Sequence, residues 1–131
     1  MKKILITGIT GQDGLFLSKN LMEADPNTKI FGVSRKETNN GFKKKLLDLG
    51  VTNLDNFKIY NIDLLNKTKV RELINTLQPT SIFNLSGPSS VYESLTHPNE
   101  TFLEITMIFD NLIEAMYEEN IIIPFFQASS S

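Results

Sequence analysis

The apolar positions of this chain change their period several times, and each change marks an element. KILIT (residues 3–7) is a short continuous apolar run of the kind found in parallel strands covered on both faces. Over residues 12–24, Leu15, Leu17, Leu21, Met22 and Ala24 recur at mixed helical spacings until DPNT breaks the pattern. KIFGVS (29–34) predicts a second strand. NNGFKKKLLDLG then predicts a loop, a short helix through Leu46, Leu47 and Leu49, and a stop at Gly50. FKIYNID (57–63) reads as a third strand. Residues 66–77 read as a helix with Val70, Leu73, Ile74 and Leu77 on one face, ended before Pro79. SIFNLS (81–86) predicts a fourth strand and IIIPFFQAS (121–129) a fifth. Between them, residues 98–120 predict a long helix with Pro98 near its start, where a missing N–H costs little.

Strands that alternate with helices need right-handed crossovers, which predicts an α/β fold: a three-layer, doubly wound parallel sheet. No repeat, low-complexity tract or interdomain linker interrupts the pattern, so residues 1–131 are expected to form one domain. No covering helix follows the fifth strand before Ser131, and this predicts a domain truncated after that strand.

Composition narrows the picture little. The 40% hydrophobic and 21% charged content of these 131 residues is ordinary for a globular protein. A formal net charge of −2 gives no electrostatic ground for binding nucleic acid or an anionic membrane. The run Lys43-Lys44-Lys45 is expected to be a solvated helix face. With no cysteine, disulfides and thiolate metal sites are excluded, and no metal site is expected. The first apolar run meets glycines within four residues, too soon for a signal peptide or a membrane span, so a cytoplasmic location is expected.

Candidate chemistry gathers at the strand ends. In a doubly wound sheet the ligand crevice lies beyond the C-terminal ends of the strands, where the strand order reverses. The first strand-to-helix turn belongs there, and it carries Gly8, Gly11 and Gly14 in a G-x-x-G-x-x-G spacing. Gly8 would permit a sharp turn, Gly11 would let backbone N–H groups reach a diphosphate, and Gly14 would let helix and strand pack closely. The helix start adds unpaired donors and about half a positive charge. Glycines serving tight packing alone are the alternative. The second strand runs into Ser34-Arg35-Lys36, two cations where a 2′-phosphate would sit, which points to NADP; Glu37 just after leaves NAD open. Asp63 could accept from an adenine amino group or simply form a turn. NLSGPSS offers small residues, Ser86, Gly87, Ser89 and Ser90, on which a cofactor could lie, as would a plain polar loop. His97 reads as a loop residue before the long helix.

Taken together, ITGITGQDG, SRK, NID, NLSGPSSV and FFQASSS resemble the extended short-chain dehydrogenase/reductase superfamily, and within it the GDP-mannose 4,6-dehydratases. The resemblance runs the length of the chain but covers only the N-terminal, smaller part of the usual family protein. It implies a Rossmann-like NAD(P)-binding domain without the substrate-binding C-terminal region. By this resemblance Gly8, Thr10, Gly11, Gln12, Asp13 and Gly14 line the pyrophosphate and ribose, and Arg35 takes the 2′-phosphate. Asp63 and Leu64 hold the adenine; Leu85, Ser86 and Gly87 lie under the cofactor. Ser130 takes the place of the catalytic Ser/Thr that hydrogen-bonds the sugar hydroxyl being oxidised. The family chemistry so implied is an intramolecular hydride transfer through NADP with loss of water from a nucleotide sugar. Asp13 is expected to cap its helix with or without cofactor.

The family's base is a tyrosine with a lysine four residues on. Here Tyr60, Tyr92 and Tyr117 are followed at that distance by Leu64, Thr96 and Ile121, so no such pair exists in the chain. The family's elimination glutamate would fall at the position after Ser131. Pro88 and the Ile108-Phe109 pair also depart from the family pattern. These departures predict a chain inactive by itself. Two other readings stand beside it: a fragment of an NAD-dependent nucleotide-sugar epimerase or reductase, and a non-catalytic nucleotide-binding or interaction domain. For the last, the long helix matters. Phe102, Ile105, Phe109, Leu112 and Met116 are expected to pack on the sheet, while Leu103, Met107 and Ile108 lie off that stripe. An apolar outer face implies a homo-oligomer, built in the family through a four-helix bundle, or burial under further chain.

Overall fold

A computed structural model of the chain describes residues 1–35, 39–86 and 98–128. Its strands are β1 (Lys3–Thr7), β2 (Lys29–Ser34), β3 (Phe57–Asn61), β4 (Ser81–Asn84) and β5 (Phe125–Gln127). All are parallel in one sheet, ordered β3-β2-β1-β4-β5. Helices α1 (Gln12–Ala24), α2 (Asn39–Asp48), α3 (Lys67–Leu77) and α4 (Pro98–Glu118) alternate with them, as the apolar pattern predicts.

Side chains of a strand alternate between faces, and that sorts the interior into two layers. Ile4 and Ile6 of β1 pack with Ile9, Met22, Ile30, Phe42, Leu46 and Phe57 under α1 and α2. Leu5 turns the other way, into a layer with Val33, Val70, Ile74, Ile82 and Leu112 under α3 and α4. The face of α3 is the expected one: Val70, Leu73, Ile74 and Leu77 are buried, with Asn66 capping the start by accepting from the Lys69 N–H at 3.2 Å. Helix α2 stops where expected, with Gly50 at φ +92° and the Val51 N–H bonded back to the Leu46 carbonyl.

The long helix corrects its expected face. The buried residues of α4 are Ile108, Leu112, Ala115 and Met116, whereas Phe102 is 71% exposed. Length explains this. At about 1.5 Å per residue α4 runs about 30 Å, against about 13 Å for a four-residue strand such as β4, so its first two turns overhang the strand ends. The stripe that packs therefore starts at Ile108, which the pattern had assigned elsewhere, and Phe102 lies on the overhang.

Three strands are shorter than the pattern predicts. Residues 121–124 are not paired as strand, because Pro124 has no N–H to donate; its carbonyl still accepts from Ile82 at 3.0 Å. β3 ends at Asn61 because Asp63 begins a turn, and β4 ends at Asn84.

Candidate functional site

The strand order reverses between β1 and β4, so the crevice of this sheet opens above their C-terminal ends. Gly8 follows β1 with φ +64°, which an L side chain rarely adopts, and a Cβ there would stand 2.8 Å from the Leu85 carbonyl oxygen after β4. The two loops that flank the reversal thus touch backbone to backbone. Ile9 then drops into the core, its N–H bonded to the Val33 carbonyl at 3.3 Å. Gly32 of β2 makes room for it, since a Cβ there would lie 2.6 Å from the Ile9 side chain. Gly14 returns the chain onto this residue: its Cβ would meet the Ile9 carbonyl oxygen at 2.3 Å.

Gly11 behaves differently. It is the residue that starts α1, with φ −73° and ψ 170°, ordinary extended backbone, and its Cβ would meet nothing nearer than the Gly8 oxygen at 3.4 Å. It carries no side-chain cap, and the Leu15 N–H is the one that bonds back to its carbonyl at 3.0 Å. The expectation that Asp13 caps this helix is corrected: Asp13 lies inside the first turn, exposed, as does Gln12. Among the described residues, the opening turn of α1 therefore presents donors without a side-chain cap, where an anion is favoured.

Around this turn the predicted residues fall into two groups. Thr10 sits at the crevice with its Oγ1 3.2 Å from the Ser34 Oγ, tying the glycine loop to the end of β2. Arg35 comes next, and its guanidinium ion-pairs with the carboxylate of Glu104 on the overhang of α4. Leu85 and Ser86 lie beside Thr7: the Leu85 N–H donates to the Thr7 carbonyl and the Ser86 N–H to the Thr7 Oγ1, both at 3.2 Å. Asp63 is farther out, at the end of the edge strand β3. Its Oδ1 accepts from the Leu65 N–H at 3.0 Å, an Asx turn, and it lines a groove of about 440 Å³ with Tyr60, Asn66 and Lys69. Leu64 is buried in the layer under α3 and α4, its carbonyl accepting from the Asn111 amide at 2.9 Å. Gly87, Ser130, Lys36, Glu37, Pro88, Ser89, Ser90, Tyr92 and His97 lie outside the described residues.

A polar relay under the crevice went unread in the sequence. Buried Thr7 donates through Oγ1 to the Asn84 Oδ1 at 2.6 Å, and the Asn84 Nδ2 donates to the Gln127 Oε1 at 2.7 Å. With the Ala128 N–H on the Asn84 carbonyl, this fixes the ends of β1, β4 and β5 relative to one another. The signal was present: Thr7, Asn84 and Gln127 each directly follow the apolar residues of a predicted strand, and Thr7 and Asn84, once buried, must find partners.

A parallel sheet that reverses order beside an uncapped, glycine-led helix start defines a Rossmann-like α/β domain. Residues 5–131 match the model of the GDP-mannose 4,6 dehydratase family, and the chain belongs to that family. It is 29% identical to GDP-mannose 4,6 dehydratase 1 of Arabidopsis thaliana over 99% of its own length and 37% of that protein's. It is 32% identical to the GDP-mannose 4,6-dehydratase of Yersinia enterocolitica over 77% of its length and 27% of the relative's. The chain thus spans about a third of the curated relatives it matches. Among solved structures, the UDP-Glc/GlcNAc 4-epimerase of Campylobacter jejuni superposes with a TM-score of 0.79 at 22% identity, over 98% of this chain and 37% of that one. The dTDP-glucose 4,6-dehydratase of Bacillus anthracis, in complex with NAD, gives 0.75 at 16% identity, over 99% of this chain and 38% of that one. Among the described residues no helix is long and apolar enough to cross a membrane.

Proposed function

We propose that this chain is the cofactor-binding N-terminal portion of a cytoplasmic nucleotide-sugar 4,6-dehydratase. In this reading it holds a nicotinamide dinucleotide, NADP, over the glycine turn. The observation that carries it is the contrast among the three glycines. Gly8 and Gly14 are required by the fold itself, whereas among the described residues nothing needs glycine at 11. A serine or aspartate there would cap α1 better. Glycine at 11 keeps the mouth open for two linked phosphates.

When bound, the nicotinamide would supply hydride acceptance and return. The chain's own residues would bind and orient. The N–H groups of Gln12 and Asp13 would face the pyrophosphate, Thr10 would close the loop against β2, and Arg35 would meet the 2′-phosphate. The relay through Asn84 and Gln127 would hold the strand that leads to Ser130, whose hydroxyl is proposed to hydrogen-bond the sugar. With no Tyr-x-x-x-Lys in the chain to serve as base, it is proposed to bind cofactor without turnover. The exposed face of α4, with Leu103, Met107 and Tyr117 among its exposed residues, is proposed to pair with a second copy.

The test is Gly11→Val. A side chain at 11 is expected to cost no more than about 1 kcal/mol, the loss of a favourable helix-start residue, since its Cβ would touch only the Gly8 carbonyl oxygen at 3.4 Å. It should weaken dinucleotide binding at least about tenfold by filling the mouth. Retained binding in a folded Gly11→Val chain, measured by titration calorimetry, would remove the proposal. Appearance of a 4-keto sugar from this chain with NADP and GDP-mannose would refute the lack of turnover. An NAD-using epimerase fragment remains the second reading, favoured by the anion already paired with Arg35.

A further inference from the structure

The cation at the end of β2 already holds an anion. Arg35 directly follows β2, Glu104 stands in the second turn of α4, and their ion pair bridges the crevice side of the sheet to the overhanging helix. Their side chains are 54% and 33% exposed, so the pair can exchange with a dissolved anion and is screened by salt. A dinucleotide's 2′-phosphate would have to displace that carboxylate from the guanidinium. It would then remain beside it as a like charge, carrying close to two negative charges itself at neutral pH. A neutral ribose 2′-hydroxyl meets neither penalty.

Resting on the dinucleotide reading above, we propose that Glu104 is a specificity-determining residue. Its carboxylate competes with the 2′-phosphate for Arg35 and narrows the preference for the phosphorylated over the non-phosphorylated cofactor. The sequence shows a basic Ser34-Arg35-Lys36 run and points to NADP. The fold adds an acid from 69 residues away to the same place, and the net field at the ribose is weaker than the run suggests.

Titration calorimetry of the whole chain with NADP and with NAD, at low and high salt, tests this. Glu104→Gln is expected to tighten NADP about three- to tenfold at low salt and to leave NAD within about twofold, the difference fading at high salt. The gain should shrink when Arg35→Ala is added, because the competition needs the guanidinium and only relief of the like-charge repulsion is left. Glu104→Asp, which retracts the carboxylate by one methylene, should move NADP in the same direction by less. Glu118→Gln, at the far end of α4 where Glu118 pairs with Arg71, should move nothing. An unchanged or weakened NADP affinity in a folded Glu104→Gln chain would overturn the proposal. So would an equal gain in the Arg35→Ala background or in Glu118→Gln. If the unaltered chain gives no heat with either compound, the dinucleotide reading itself fails. If both bind and their ratio does not move with Glu104, only the competition fails.

Discussion

The two covers of the sheet solve the same packing problem in opposite ways. On one side α1 comes so close that its innermost residues are Gly14, Ser18 and Met22, with the Ser18 hydroxyl turned back onto the Gly14 carbonyl at 2.7 Å. Its larger apolar residues, Leu15, Leu17 and Leu21, pack from the flanks. On the other side α4 stands off on full-sized side chains, Ile108, Leu112 and Met116, and leaves Phe102, Leu103, Met107, Ile113 and Tyr117 exposed. The close side brings a helix start to the crevice with backbone alone. The far side carries an acid over the crevice and an apolar surface to the outside. In the reading proposed above, backbone proximity would serve ligand binding, and side-chain reach would serve tuning and association.

The sharpest break of this contrast is Gly14→Ala. The new methyl would stand 2.3 Å from the Ile9 carbonyl oxygen and 2.6 Å from two further backbone atoms. Backbone on both sides cannot yield as a side-chain end would, so a loss of roughly 4 kcal/mol is expected. That is a large share of a small domain's stability. A urea midpoint close to the parent's would show that α1 does not approach as closely as described. On the far side, Ile108→Ala should cost about 2–4 kcal/mol, since Ile108 is 1% exposed among the residues under α4. A loss below about 1 kcal/mol would return Ile108 to the outer stripe where the sequence pattern put it.

The outer face of α4 should respond in the reverse manner. Leu103→Gln with Met107→Gln removes apolar surface that is 59% and 43% exposed. Stability of the fold should move by no more than about 0.5 kcal/mol per site. Sedimentation at high concentration should shift toward monomer if this face joins two copies. A parent chain that sediments as monomer at high concentration would remove the proposed pairing, and a variant that unfolds would place these residues in the core.

What the sequence disclosed follows the same division. Local patterns were readable: the period of α3, the stop at Gly50 and the turn glycines all depend on neighbours within a few residues. The face of α4 was not, because several registers of a helix apolar over more than one face look alike, and the choice is made by strands much shorter than the helix. The inner stripe of α1 was legible only in part. Gly14 was read as the glycine of close helix–strand packing, but Ser18 is not apolar enough to register in a hydrophobic pattern, although its smallness admits it to the closest contact. Arg35 was readable as a cation at a strand end, but Glu104 was not readable as its partner. Only the overhang of α4, a property of relative lengths, brings them together.

The smallest expected effect lies on the seam between α3 and α4, where Lys67 meets Glu114 at 2.6 Å and Arg71 meets Glu118 at 3.0 Å. The hydrogen bond and the charge of Glu114 raise the Lys67 pKa above its ordinary 10.5. A group held charged in the folded state contributes stability that is fully present below its unfolded pKa and is lost as pH rises through the folded one. The contribution is therefore flat across neutral pH and disappears only in strong alkali. With both side chains about half exposed, it is small and sensitive to salt. Lys67→Met should accordingly lower stability slightly and by a constant amount from pH 6 to 9, a difference that closes above roughly pH 10.5. A gap that closed between pH 7 and 9 would mean that the alkaline face of this fold is governed elsewhere. The seam would then be held by the apolar layer beneath it alone.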